Sequence, residues 1–156
     1  MNDFIETQKS VLEETISLRT EILNAVDDGN LDFSLGGKSL AFRDLLLEQA
    51  NIQASYIKAF KTFKQDWSVK ATAPHPITVD ALKHLFADLD KQLFTTLEQL
   101  SKDDIAKPVN RGGWELSIEG TLIAYHEAVL IFTAKASVYL RAMGKNLTGQ
   151  LEAWIG

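Results

Sequence analysis

Apolar residues recur every three or four positions along four long stretches of this chain. That spacing places them on one face of an α-helix. The first stretch runs from about Asp3 to Val26, with Ile5, Leu12, Ile16, Leu23 and Val26 on one side. Glu6, Lys9, Glu13, Glu14, Arg19 and Glu21 occupy the polar remainder. Asp3 followed by Glu6 predicts a capping box, and Asp27-Asp28-Gly29-Asn30 supplies turn chemistry at the far end. The second helix is expected from Ser39, as its N-cap, to about Phe63. Its apolar face uses Leu45, Leu46, Ala50, Ile52, Ile57, Ala59, Phe60 and Phe63. The third, capped by Thr78 and ending near Leu100, has the cleanest stripe: Leu82, Leu85, Phe86, Leu89, Leu93, Leu97 and Leu100. The fourth runs from Ser117 to Met143, and Gly144 follows it where a left-handed C-terminal cap belongs.

The connections differ in kind. Leu31 to Lys38 carries Gly36-Gly37, and Lys64 to Ile77 holds Pro74-His75-Pro76, which forbids regular structure and predicts a long crossover. Ser101 to Gly113 is polar and ends in Asn110-Arg111-Gly112-Gly113, a flexible connection. The tail from Lys145 is expected to form a short helical turn docking Leu151, Trp154 and Ile155. Trp67, Trp114 and Trp154 all lie outside the long helices and are expected as lids over the bundle ends. No useful strand alternation, repeat or low-complexity tract divides the chain. The pattern predicts an all-α fold, a four-helix bundle forming one domain over residues 1–156.

Two polar residues stand out against this pattern. The fourth helix reads Ile118, Leu122, His126, Val129, Thr133, Ala136, Leu140 and Met143 down its core face, so His126 needs a partner inside the bundle. Glu48, on a second-helix stripe of Ala41, Leu45, Glu48 and Ile52, is the expected partner. Gln49 and Gln53 turn inward only if that helix is rotated. The Glu48–His126 pair admits three readings: a reduced metal site, a carboxylate poising a general acid–base histidine, or a satisfied polar pair fixing helix register. The fourth helix is also apolar around most of its circumference, adding Ile123, Tyr125, Leu130, Ile131, Phe132, Val138 and Tyr139. That surplus predicts a second buried face and hence a homodimer through this helix.

Composition narrows the classes. Sixteen basic against 21 acidic residues leave a net charge of −5, which disfavours nucleic acid and anionic membrane as partners. The lysines Lys58, Lys61 and Lys64 are read as a solvated helix edge. There is no cysteine, so disulfides, cysteine nucleophiles and thiolate metal sites are excluded. The opening MNDFIETQKS has no apolar core of a secretory signal, and the most apolar window, Leu122 to Leu140, contains His126, Glu127 and Lys135. A cytoplasmic protein with no membrane span is expected.

Two segments resemble the DinB-like (DinB/YfiT) four-helix-bundle superfamily. They are Gly36-Gly37-Lys38-Ser39-Leu40 with Phe42-Arg43-Asp44-Leu45-Leu46-Leu47, and His126-Glu127-Ala128 with Tyr139-Leu140-Arg141-Ala142-Met143-Gly144-Lys145. Helix order and the long second crossover agree along nearly the whole chain. The resemblance implies a divalent metal, zinc or nickel, on three histidines: one from the second helix and an HxxxH pair from the last. Here Glu48 stands at the second-helix position. The second ligand of the pair falls near Phe132, and His126 lies about two residues off register. His75 and His84 do not complete the set. The metal triad is therefore absent, leaving Glu48 and His126 as candidate ligands for at most a weakly bound ion. Three functions follow as expectations. The first is a degenerate-site, non-catalytic member binding a small ligand or partner. The second is a metal-dependent transferase or hydrolase using Glu48 and His126, with any thiol arriving as cosubstrate. The third is an interaction module acting through the fourth helix.

Overall fold

The computed structural model describes residues 3–155, with side chains from Ile5 onward. Four long helices carry the fold: α1 Asp3–Asn24, α2 Phe42–Thr62, α3 Val79–Glu98 and α5 Ile118–Ala142. Two short helices, α4 Lys102–Ile105 and α6 Gly149–Ile155, and two strands, β1 Pro108–Asn110 and β2 Glu115–Ser117, complete it. The expected Asp3–Glu6 capping box involves a side chain outside those described.

Hydrogen bonds at the helix ends fix the direction of each helix. The Arg43 amide donates to the Leu31 carbonyl (2.9 Å), so α2 starts where α1 finishes and runs back. The Val79 amide donates to Asp28 Oδ1 (2.7 Å), which starts α3 at that same end. The segment between Phe63 and Thr78 must therefore travel the length of α2, as the proline-rich crossover predicts, and α2 and α3 run parallel. At the finish of α5, Lys145 Nζ lies 3.8 Å from Asp27, so α5 runs alongside α1 in the same direction. The main packings are α1 on α3, α3 on α2, α2 on α5 and α5 on α1, a closed square with α1 and α2 on one diagonal.

Local chemistry explains most boundaries. The Thr78 hydroxyl accepts from the Ala81 amide (3.1 Å) and the Ser117 hydroxyl from the Gly120 amide (3.0 Å), both as N-caps. Ser39 does not cap α2. Its hydroxyl bonds the Gly36 carbonyl (2.7 Å), and Ala41 is the residue before the helix. The carbonyls of Leu31 and Phe33 take the Arg43 and Phe42 amides instead, so α2 needs no side-chain cap. Gly144, at φ +71°, closes α5 while the Lys145 amide reaches the Leu140 carbonyl (2.9 Å). The tail does form α6. Gln150 bonds Ser17 (2.6 Å), and Leu151 is buried. Trp154 stays largely exposed, as do Trp67 and Trp114.

Two expectations are corrected. The polar stretch after α3 contains α4 and an antiparallel hairpin, Val109 facing Leu116, in place of a flexible connection. Strands of three residues are too short for alternation to register; β1 pairs with β2, and its Asn110 is also bonded through the backbone to Phe63 and Gln65. The faces of α1 and α2 are also rotated from the reading above. Arg19, assigned to solvent, is 1% exposed, and Gln49 and Gln53 are 1% and 0% exposed.

Candidate functional site

The rotation places a polar cluster at the centre of the bundle, with one residue from each long helix. Arg19 (α1) donates to both carboxylate oxygens of Asp90 (α3) at 2.7 and 2.6 Å, and to Gln53 (α2) at 3.1 Å. Gln53 returns an N–H to Asp90 (2.8 Å), and the guanidinium lies 4.1 Å from the centre of the Phe86 ring. Both Asp90 oxygens take the one nitrogen Nη2 while Nη1 goes to Gln53, and these charge-assisted bonds make the buried arginine tolerable. Tyr125 (α5) supplies the fourth side. Its hydroxyl is buried without a well-formed hydrogen bond. Burial pushes the phenol well above its ordinary value; the Arg19 charge opposes the shift and Asp90 adds to it. The Tyr56 ring lies 5.2 Å beyond Tyr125.

Glu48 and His126 do not meet. The Glu48 carboxylate is half exposed and sits 4.0 Å from Lys135 Nζ across the α2–α5 seam. Nine residues, or two and a half turns, separate His126 from Lys135, so the two leave α5 on opposite sides. His126 is half-buried at the edge of the core face, and its Nε2 is buried without a hydrogen-bond partner among the described residues. The expected acid–base pair thus lacks the contact it required. His75 is exposed, and so is His84, whose Nδ1 rests 2.9 Å from the Asp80 carbonyl of its own helix.

What Glu48 does share is a groove. Glu48, Gln49, Ala128, Phe132 and Lys135 line a cavity of about 180 Å³ between α2 and α5. Ala128 and Phe132 are four residues apart, the spacing of an HxxxH pair, and they face Glu48. The position that the resemblance gives to the second imidazole is thus filled by a phenyl ring, with a methyl group one turn before it. One carboxylate, at the outer limit of an ion pair with Lys135, is the only charged oxygen donor left beside them. This donor set does not fit a divalent cation, and no cluster of three or more potential ligands exists among the described residues. Adjoining the cavity, and sharing Glu48 and Ile52 with it, is an open groove of about 410 Å³ lined also by Leu40, Asp44, Leu47, Trp67 and Lys70.

Sequence reasoning missed Arg19 and Asp90, and brought Gln53 inward only on a rotated α2. The available signal was register: Leu12, Thr15, Arg19, Ile22 keep helical spacing, as do Gln49, Gln53, Tyr56, Phe60, and Phe86, Asp90, Leu93.

The chain matches no protein-family model and no curated protein. Its fold does match solved structures. A DinB-like protein (YjoA) from Bacillus subtilis superposes with a TM-score of 0.73 at 15% identity, covering 95% of this chain and 96% of that one. A DinB-like protein from Bacillus cereus ATCC 10987 gives 0.72 at 11% identity, covering 91% and 93%. The fold is DinB-like. A mutant of a mycothiol-dependent maleylpyruvate isomerase also aligns, with a TM-score of 0.65 at 15% identity. There the DinB-like bundle covers 84% of this chain but only 61% of the isomerase. Among the described residues, no helix is long and apolar enough to cross a membrane.

Proposed function

We propose that this DinB-like protein is a non-catalytic, cytoplasmic binding protein that takes a small apolar amine in the groove along α2. The observation that carries this reading is one carboxylate, Glu48, beside the apolar Ala128 and Phe132 in a single cavity, with Lys135 only at the outer limit of an ion pair. Asp44 and Glu48, one turn apart, supply two negative charges on the rim of the larger groove against one positive charge from Lys70. Leu40, Leu47, Ile52 and Trp67 supply apolar wall.

Two measurements test it. Untagged protein, dialysed with chelator and returned to zinc or nickel, should hold no stoichiometric metal and keep its melting temperature. Stoichiometric metal lost in Glu48→Gln would restore the metal-enzyme alternative. Phenethylamine should shift the NMR amide signals of residues Asp44 to Ser55, and silence there would remove the groove as a ligand site.

A second reading rests on a separate observation. Ile123, Ile131 and Val138 are exposed along the outer face of α5. They support the homodimer reading, although Tyr125, Phe132 and Tyr139 are buried within the bundle itself and account for much of the apolar surplus. Ile131→Glu should therefore shift sedimentation from dimer to monomer. Unchanged sedimentation in this variant would place any interface elsewhere.

A further inference from the structure

Arg111 has an unusual environment for a cation in a chain of net negative charge. It sits at the tip of the β1–β2 hairpin, where its guanidinium carbon lies 5.1 Å from the ring centre of Trp114, 5.3 Å from Tyr56 and 5.5 Å from Trp67. One N–H of Nη2 reaches the Tyr56 hydroxyl at 3.2 Å. Nε and Nη1 are buried and meet no acceptor among the described residues. Among the described residues no carboxylate forms an ion pair with it, although two stand next to the flanking tryptophans in the chain. Asp66, beside Trp67, is committed to Ser68 (2.5 Å) and Lys58 (2.9 Å), which together hold its carboxyl far below the ordinary value. Glu115, beside Trp114, forms no ion pair with Arg111. A guanidinium has five N–H donors, and leaving several of them dry and unpaired is costly.

The surroundings are built to hold that arrangement. The Asn110 amide bonds the Phe63 carbonyl (3.0 Å), and the Gln65 amide bonds the Asn110 carbonyl (2.8 Å), so the hairpin is stitched to the start of the crossover. The Ser55 hydroxyl donates to the Asp66 carbonyl (2.7 Å), fixing the residue before Trp67 against α2. The other wall is on a softer mount. Trp114 follows Gly112 and Gly113, at φ +83° and +115°, a backbone that residues with a Cβ rarely adopt. Trp67 and Trp114 are 54% and 55% exposed. Two half-exposed indoles thus flank a cation whose donors lack an anion among the described residues.

We propose that Arg111 anchors a binding site for a carboxylate carried on a small apolar or aromatic body. The carboxylate would take the unpaired Nε and Nη1 donors, and the body would lie against the indoles of Trp67 and Trp114. A guanidinium suits this role because it pairs with planar carboxylates and stacks on rings at once. The site stands on the hairpin tip and does not depend on the amine reading of the α2 groove.

The test is a fluorescence titration of the full chain with benzoate, in a Trp154→Phe background so that the two cage tryptophans dominate the signal. A saturable change at roughly millimolar benzoate is expected, with no saturation by benzylamine. Arg111→Gln should weaken the response about tenfold or more, as loss of a charged hydrogen bond does. Should Arg111→Gln fail to fold, Arg111→Lys keeps the charge but not the planar fork, and should also bind benzoate more weakly. No saturable response, or equal benzoate affinity in a folded Arg111 variant, overturns the proposal. Inorganic phosphate binding as tightly as benzoate overturns it too, since the indoles would then contribute nothing.

Discussion

Arg19 and Arg111 are joined through two tyrosines in tilted ring contact, Tyr125 and Tyr56, yet the protein treats them in opposite ways. Arg19 is enclosed and answered: two oxygens of Asp90, one of Gln53 and a phenyl face surround it. Arg111 is answered only by rings and one phenol. The first arrangement ties α1, α2 and α3 to a single point and leaves no donor geometry for a ligand to improve. The second ties a hairpin to α2 and leaves strong donors unused. A buried charge with a full set of partners is part of the scaffold, whereas one held by aromatic faces alone remains available for recognition.

Asp90→Ala should break this contrast most severely. It leaves Arg19 charged and dry among three helices, a loss of about 3–5 kcal/mol, comparable to much of the stability of a small domain. Urea unfolding monitored by circular dichroism would measure it. Asp90→Asn, which keeps one acceptor, should lose less and remain folded. The double change Arg19→Met with Asp90→Leu should recover most of the loss, because it removes the charge together with its partner. A single Asp90→Ala variant within about 1 kcal/mol of the parent would show that the cluster does not hold the helices together.

The same contrast shows what the sequence carried. Helix identity, the Thr78 and Ser117 caps, the Gly144 stop and the long crossover all depend on residues close together in the chain, so spacing alone reveals them. Arg19 and Gln53 do not, since a long polar side chain looks the same in sequence whether it faces water or a carboxylate on another helix. Glu48 and His126 were judged by helical spacing too. A register error of one residue turns a helix by about 100°, enough to carry Glu48 from the core to the rim and Gln49 from the rim to the core. The DinB-like architecture survives such an error because it rests on whole faces. The site did not survive it, because it rested on two side chains. Arg111 lay in a stretch taken as flexible, since three-residue strands leave no periodic trace.

Arg111→Gln should cost far less stability than Asp90→Ala. Cation–π contacts at a partly exposed site contribute about 0.5–1 kcal/mol each, and removing dry, unpaired donors offsets part of that. A net loss under about 1 kcal/mol is expected by the same urea measurement. A loss matching that of Asp90→Ala would make Arg111 a scaffold residue like Arg19 and erase the distinction between them.

Tyr125, standing between the two arginines, sharpens the comparison through pH. Its buried phenol is pushed above the ordinary value near 10, so its contribution is complete below that pH, where both folded and unfolded forms are protonated. As pH rises past it, the unfolded phenol ionises while the folded one stays neutral, and stability falls. Tyr125→Phe should flatten this alkaline decline. At neutral pH it should change stability by less than about 1 kcal/mol, because the lost hydroxyl has no well-formed bond. An unaltered alkaline limb in the variant would assign that decline to other groups.

The smallest effect is expected at Glu48. Its carboxylate is half exposed and stands 4.0 Å from Lys135, at the outer limit of an ion pair. Water screens both groups, and holding two mobile side chains together costs entropy, so pairs of this kind contribute about 0–1 kcal/mol. Glu48→Gln and Lys135→Ala should each fall within about 0.5 kcal/mol of the parent in urea. The double variant should equal their sum, since a pair with no coupling adds. Coupling beyond about 0.5 kcal/mol would mean that Lys135 does hold Glu48 in place. The groove between α2 and α5 would then belong with the scaffold, and its carboxylate would not be free to receive an amine.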